Sequence, residues 1–206
     1  MFKNHFKIAF RSLKNQAFFT FLNIFGLTIG MAGALLISLY IYDELGYDKM
    51  FKDADRIYRI DTDIKFGGTE MLAGETSPPM AAALKNDLSQ VETTVRLRDL
   101  GSMLIRKNET ETNTKETDAA YADASFLDFF SLEVLEGDRH TALTQPNTLV
   151  LTKTAAEKHF PIEEAVGKTV VLNNNETYTI TGVINDLPKN SLLRNHSMFL
   201  AMAGNP

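Results

Sequence analysis

The chain has 206 residues and a net charge of −5, from 21 Lys and Arg set against 26 Asp and Glu. With 44% hydrophobic and 23% charged residues, it falls in the ordinary globular range, which excludes collagen-like, low-complexity and wholly disordered chains. The acidic balance argues against a nucleic-acid partner, whose binder needs a basic surface to displace counterions. The lack of cysteine removes disulfides, thiol nucleophiles, Cys-bearing zinc sites and an N-terminal lipidated Cys.

The charges are not spread evenly. No acidic residue precedes Asp43, and the leader before Ala17 carries Lys3, Lys7, Arg11 and Lys14. At about 100° per residue, Phe2, Phe6, Ala9, Phe10, Leu13 and Ala17 fall on one side of a helix and the four cations on the other, Ile8 being the exception. Residues 1–16 therefore read as a cytoplasmic amphipathic helix, with apolar residues in lipid and Lys3, Lys7, Arg11 and Lys14 facing anionic headgroups.

From Ala17 to Tyr42 there is no charge at all. As a helix, 26 residues rise about 39 Å, more than the ~30 Å hydrocarbon core. A buried core helix is usually shorter and keeps a polar face. A cleaved signal peptide has a shorter apolar region followed by its cleavage site, whereas the nearest Ala-x-Ala, Ala32 to Ala34, lies inside the run. Residues 17–42 read as a retained transmembrane helix. Basic flanks stay inside, so the N-terminus is expected in the cytoplasm and everything after Tyr42 outside. Along the span, Thr20, Asn23, Gly26, Gly30, Gly33, Ala34 and Ser38 share one side. Such a face lets another helix approach closely and offers Asn23 a cross-helix hydrogen bond. The expected neighbours are further transmembrane helices or a second copy.

Residues 43–206 carry seventeen basic and twenty-six acidic residues, a net −9, and read as a mixed α/β domain; the fold class is α+β. Alternation predicts a strand over Arg56–Phe66. Pro78-Pro79 opens a helix at Met80–Leu88. Val91–Lys107 predicts a strand pair broken near Gly101, followed by a turn at Asn108–Asn113 and a strand up to Tyr121. A short helix is predicted from Asp123, with Leu132–Leu135 leading to Gly137, then a strand at Asn147–Leu151 and a helix at Lys153–His159. Val170–Leu172 and Tyr178–Ile184 read as a hairpin turning at Asn173–Glu176, and Met198–Met202 opens another apolar stretch.

Catalytic signals are scarce. His5, His140, His159 and His196 form no metal-binding pair at helical spacing, and the expectation is ordinary surface histidines. Asp53, Asp55, Asp61 and Asp63 lack the loop glycine and closing Glu of an EF-hand. There is no phosphate-binding P-loop and no serine-hydrolase elbow. No catalytic residue, cofactor ligand or metal ligand is nominated, and an anchored enzyme is the least favoured class.

A family resemblance then emerges from specific segments. FKIAFRSLKNQAFFTFLNIFGLTIGMA (6–32) and YDELGYDKMFKDADRIYRI (42–60) resemble the start of MacB/FtsX-type ABC transporter permeases of the Bacteroidota type. So do ETSPPMAAALKNDLSQVETTVRL, YADASFLDFFSLEVLEGD, TALTQPNTLVLTKTAAEKHF and AVGKTVVLNNNETYTITGVINDLPKNS, in order along the whole chain. The resemblance implies a first membrane helix followed by a MacB-like periplasmic core domain at the inner membrane. It implies no cofactor of its own, because ATP is bound by a separate ABC ATPase subunit whose work is passed on mechanically for export. Members of this family continue to at least three more membrane helices, so the expectation is an N-terminal part ending inside the periplasmic domain. The competing class is a single-pass extracytoplasmic sensor or interaction module.

Overall fold

A computed structural model of the chain describes residues 2–108 and 110–204, apart from the side chains of Phe2 and Phe6. Those two side chains, part of the expected apolar stripe of the leader, lie outside the described residues. So does Glu109, within the expected turn at Asn108–Asn113. The chain divides into a helical unit, Met1–Tyr47, and a sheet unit, Asp48–Pro206.

The helical unit contains α1 (Phe2–Asn15) and α2 (Ala17–Leu45), separated by Gln16. The uncharged run was expected to end its helix at Tyr42. Instead α2 continues through Asp43 and Glu44 to Leu45, where Gly46 donates to the Tyr42 and Asp43 carbonyls. Charge ends a membrane segment but not a helix: Asp and Glu keep their backbone bonds and extend side chains into water. None of the 29 residues of α2 is buried in the unit, so its Phe, Leu and Ile side chains all face outward.

In the sheet unit, a short 3-10 turn (Ala54–Arg56) leads to a hairpin of β1 (Thr62–Phe66) and β2 (Thr69–Ala73). The expected strand over Arg56–Phe66 is half its predicted length, and β2 was not foreseen. Gly67 (φ +59°) and Gly68 (φ +82°) form the two-residue turn, a signal for a tight hairpin because both positions need positive φ. The ladder closes at Thr62 opposite Ala73, and beyond it Arg59 instead donates to the Gly74 carbonyl at 2.6 Å. Helix α3 (Met80–Asp87) follows the two prolines as expected.

The rest is one mixed sheet: β3 (Leu97–Arg106), β4 (Thr114–Ala122), β5 (Val134–Gly137), β6 (Thr148–Thr152), β7 (Thr169–Leu172), β8 (Glu176–Ile184) and β9 (Met198–Ala201). Its order is β5-β8-β6-β9-β4-β3-β7, and β7 also pairs with β8. The hydrogen-bonded ring thus closes on itself and leaves β5 as a spur on the later half of β8. The predicted break at Gly101 is a bulge within a single strand, with Gly101 at φ +68° and the register slipping on both sides of it. One extra residue bends a strand without ending it.

Successive residues of the central strands enter two cores. Leu149 and Leu151, Met198 and Leu200, and Ala119 and Tyr121 join one cluster with Ala155 and Ala156 of α5 (Lys153–Glu157) and Ala165 of α6 (Ile162–Ala165). Val150, Phe199, Ala201, Ala120 and Ala122 join the other with Phe126 and Leu127 of α4 (Phe126–Phe129), Phe51 and Leu193. Both faces of the sheet are covered, which is why TLVLT and MFLA read as unbroken apolar runs.

Candidate functional site

The helical unit holds both nominated surfaces. Lys3, Lys7, Arg11 and Lys14 lie on α1 at spacings of four, four and three, all exposed, and residues so spaced share a helix face. Thr20, Asn23, Gly26, Gly30, Gly33, Ala34 and Ser38 all lie within the unbroken α2. A Cβ added at Gly26, Gly30 or Gly33 meets nothing within 4 Å, so nothing in the unit occupies that strip. The two threonines of α2 are bonded differently. Thr28 donates to the Ile24 carbonyl at 2.7 Å, the ordinary four-residue step. Thr20 reaches back seven residues to the Leu13 carbonyl at 2.9 Å, across Gln16. Ser12, Leu13, Gln16, Phe19, Thr20, Asn23 and Ile24 line a notch of about 200 Å³ at this point.

Reading along the sequence did not find the charged cluster in the sheet unit. Glu116 of β4 is fully buried, with its two carboxylate oxygens used separately: Lys158 Nζ donates to Oε2 at 2.8 Å, and His159 Nε2 lies 3.3 Å from Oε1. Burial pushes the Glu116 carboxyl up, but hydrogen bonds from His159 and Lys158 and their charge outweigh it and hold the group below its ordinary value. The cluster ties the end of α5 to β4 and borders a shallow groove of about 490 Å³ lined by Glu157, Lys158, His159, Phe160, Pro161, Ile162 and Glu163. The Tyr121 and Tyr178 hydroxyls lie 3.3 Å apart, and Tyr178 also donates to Glu176 at 3.0 Å. Burial, with those two partners, pushes the Tyr178 hydroxyl far above its usual value.

Two of the histidines depart from the surface expectation. His159 is buried against Glu116, and the His196 side chain is 11% exposed. The His196 ring sits 2.9 Å from Asp99 and stacks on Phe199 with the centroids 5.5 Å apart. His140 is exposed as expected, paired with Asp128 at 2.9 Å. His159 and His196 join segments far apart in sequence, which is why local pattern could not place them. Arg96 does the same job with more bonds, its guanidinium and backbone N–H all donating to Asp123 at 2.8 to 3.1 Å.

Glu116 accepts from Lys158 and pairs with His159. Among the described residues, no three of His, Asp or Glu converge as a metal would require. Asp61 and Asp63 are instead paired with Arg59 and Lys65.

Comparison with known proteins bears on the whole architecture. Residues 20–203 match the family model of the MacB-like periplasmic core domain. The crystal structure of a domain of a protein named as a permease, from Porphyromonas gingivalis, is 26% identical with a TM-score of 0.59, over 67% of this chain and 57% of that one. The chain thus spans a little over half the length of that domain. The extracellular domain of the noncanonic ABC-type transporter YknZ from Gram-positive bacteria is 19% identical, with a TM-score of 0.47, over 62% of this chain and 63% of that one. The periplasmic region of MacB from Actinobacillus actinomycetemcomitans is 18% identical, with a TM-score of 0.40, over 59% and 54%. Comparison with curated proteins gives no match.

Proposed function

Because the chain belongs to the family of the MacB-like periplasmic core domain, we propose that it is part of the permease subunit of an ABC transporter, held in the inner membrane by α2. The observation that carries this reading is the family match over residues 20–203, which takes in most of α2, the one helix among the described residues long and apolar enough to cross a membrane. The P. gingivalis structure, named as a permease domain, supports it. In this reading the chain is not an enzyme. A separate ATPase subunit hydrolyses ATP, α1 and α2 carry the resulting movement across the membrane, and the sheet unit changes arrangement on the periplasmic side to drive export. The basic stripe of α1 holds the leader to anionic lipid on the cytoplasmic face, each cation contributing about 1 kcal/mol near such a surface. The open Gly26–Gly30–Ala34 strip receives other transmembrane helices or a second copy.

Purification of the tagged protein from its own membranes tests the assignment. An ATPase with a P-loop is expected to come with it in stoichiometric amount. Recovery of a signalling partner and no ATPase would overturn the permease reading in favour of a sensor. Orientation is tested separately: single cysteines placed at Asn4 and Asn174 should react with an impermeant maleimide only at Asn174 in intact cells, once the outer membrane is opened. Labelling at Asn4 would reverse the assigned topology.

A further inference from the structure

We propose that Gln16 is a bistable joint and that the Thr20 hydroxyl is the clasp holding it bent. The bond and the helix rise do not match in length. Seven residues of continuous α-helix rise about 10.5 Å, far beyond the reach of a threonine side chain, yet Thr20 Oγ1 donates to the Leu13 carbonyl at 2.9 Å. The bond exists only because the chain folds toward itself at Gln16, whose backbone leaves the helical region (φ −115°, ψ 47°). Ser12, Gln16 and Asn23 line the notch inside the bend.

Two conformations satisfy the same backbone group. The last carbonyls of a helix have no partner within it, and at a membrane surface an unmet carbonyl is costly. In the bent form the Leu13 carbonyl accepts from Thr20. In a straight form α1 and α2 would merge: Leu13 would accept from the Ala17 N–H, and the Thr20 hydroxyl would turn to the Gln16 carbonyl, the four-residue step that Thr28 already makes to Ile24. Because the Leu13 carbonyl has a partner in either form, a modest force on the leader decides between them. The bent form keeps the basic stripe of α1 at an angle to the span, and the straight form carries it along the axis of the span. That this matters for transmission rests on the permease reading; the joint itself concerns α1 and α2 alone.

The absence of native cysteine makes the joint directly measurable. Spin labels at Ile8→Cys and Ile29→Cys, both exposed positions, report the distance across Gln16 in the full chain. Vesicles of phosphatidylethanolamine and phosphatidylglycerol serve as the membrane. An unbroken helix separates the two backbones by about 31 Å. The chain is expected to give a distribution several ångström shorter than a straight helix. Thr20→Val should move it to the straight-helix distance, Thr20→Ser should restore the short one, and Thr28→Val should leave it unchanged. A straight-helix distance in the unsubstituted chain, no shift with Thr20→Val, or an equal shift with Thr28→Val would each overturn the clasp. The outcome does not depend on an ATPase, so failed co-purification and a failed clasp are separate results.

Discussion

The two units handle polar groups in opposite ways. In the sheet unit, residues far apart in sequence pair off charge and hydroxyl: Glu116 with Lys158 and His159, Arg96 with Asp123, and Asp186 with the backbone and hydroxyl of Thr154 at 2.9 and 2.6 Å. In the helical unit the bonded side chains reach back along the same segment, and the apolar ones have no protein cover: Phe18, Phe21, Leu36 and Tyr42 are each more than 60% exposed. One unit closes a core on itself, whereas the other leaves its apolar side chains without protein cover. Apolar surface leaves water in the first by folding. In the proposed permease reading a bilayer supplies the other side of the second.

The comparison can be broken first at the core. Phe199 is fully buried and stacks near Phe126 with centroids 4.4 Å apart. Phe199→Ala should lower the unfolding free energy of the sheet unit by about 3–5 kcal/mol, followed by near-ultraviolet circular dichroism of the full chain in detergent under denaturant. Phe21→Ala, on the exposed surface of α2, should leave that transition in place. An equal loss from both would erase the distinction between the units.

Gly137 gives the next effect. Its φ is +93°, and a Cβ there would collide with the Thr181 carbonyl oxygen where β5 meets β8. Gly137→Ala should cost about 1–3 kcal/mol in the same assay, while Gly30→Ala, with open space around it, should cost the fold nothing measurable.

The buried carboxylate follows, and it has a pH signature. Its folded-state value lies below the ordinary 4.5, so its stabilisation is fully present above that ordinary value and is lost as pH falls through the depressed one. Glu116→Gln should therefore flatten the acid limb of the stability curve. At neutral pH it should cost about 1–2 kcal/mol, discounted because Lys158 is 46% exposed. A variant with an unaltered acid limb would mean that the cluster does not couple to folding. The smallest effect on the fold is expected from Gly30→Leu, which should leave the sheet unit and membrane insertion intact and reduce only crosslinking between α2 and its neighbour helices. Undiminished crosslinking would remove the packing face.

Legibility along the chain tracks how local each cause is. The span announced itself because 26 uncharged residues admit few readings, and α3 and the β7–β8 hairpin followed from prolines and from three consecutive asparagines, two of them at positive φ. The hairpin return at β2 was also written locally, in Gly67-Gly68, and was passed over because the alternation in Arg56–Phe66 drew the strand too long. Helix α6 was missed for a different reason: a four-residue helix is shorter than one helical repeat of apolar pattern. The proposed packing strip and basic stripe rest on helical pitch alone, and the segments that carry them are helical.

Composition, charge asymmetry and period were enough to read the long apolar helix, the mixed α/β character beyond it and the family resemblance, because each depends on neighbours within a few residues. The closure of the sheet through β7 and β8, the burial of Glu116 beneath a lysine and a histidine some forty residues away, and the clasp from Thr20 to Leu13 needed the folded chain. Each is a meeting of groups whose separation along the sequence carries no periodic signal, and only packing brings them within hydrogen-bonding distance.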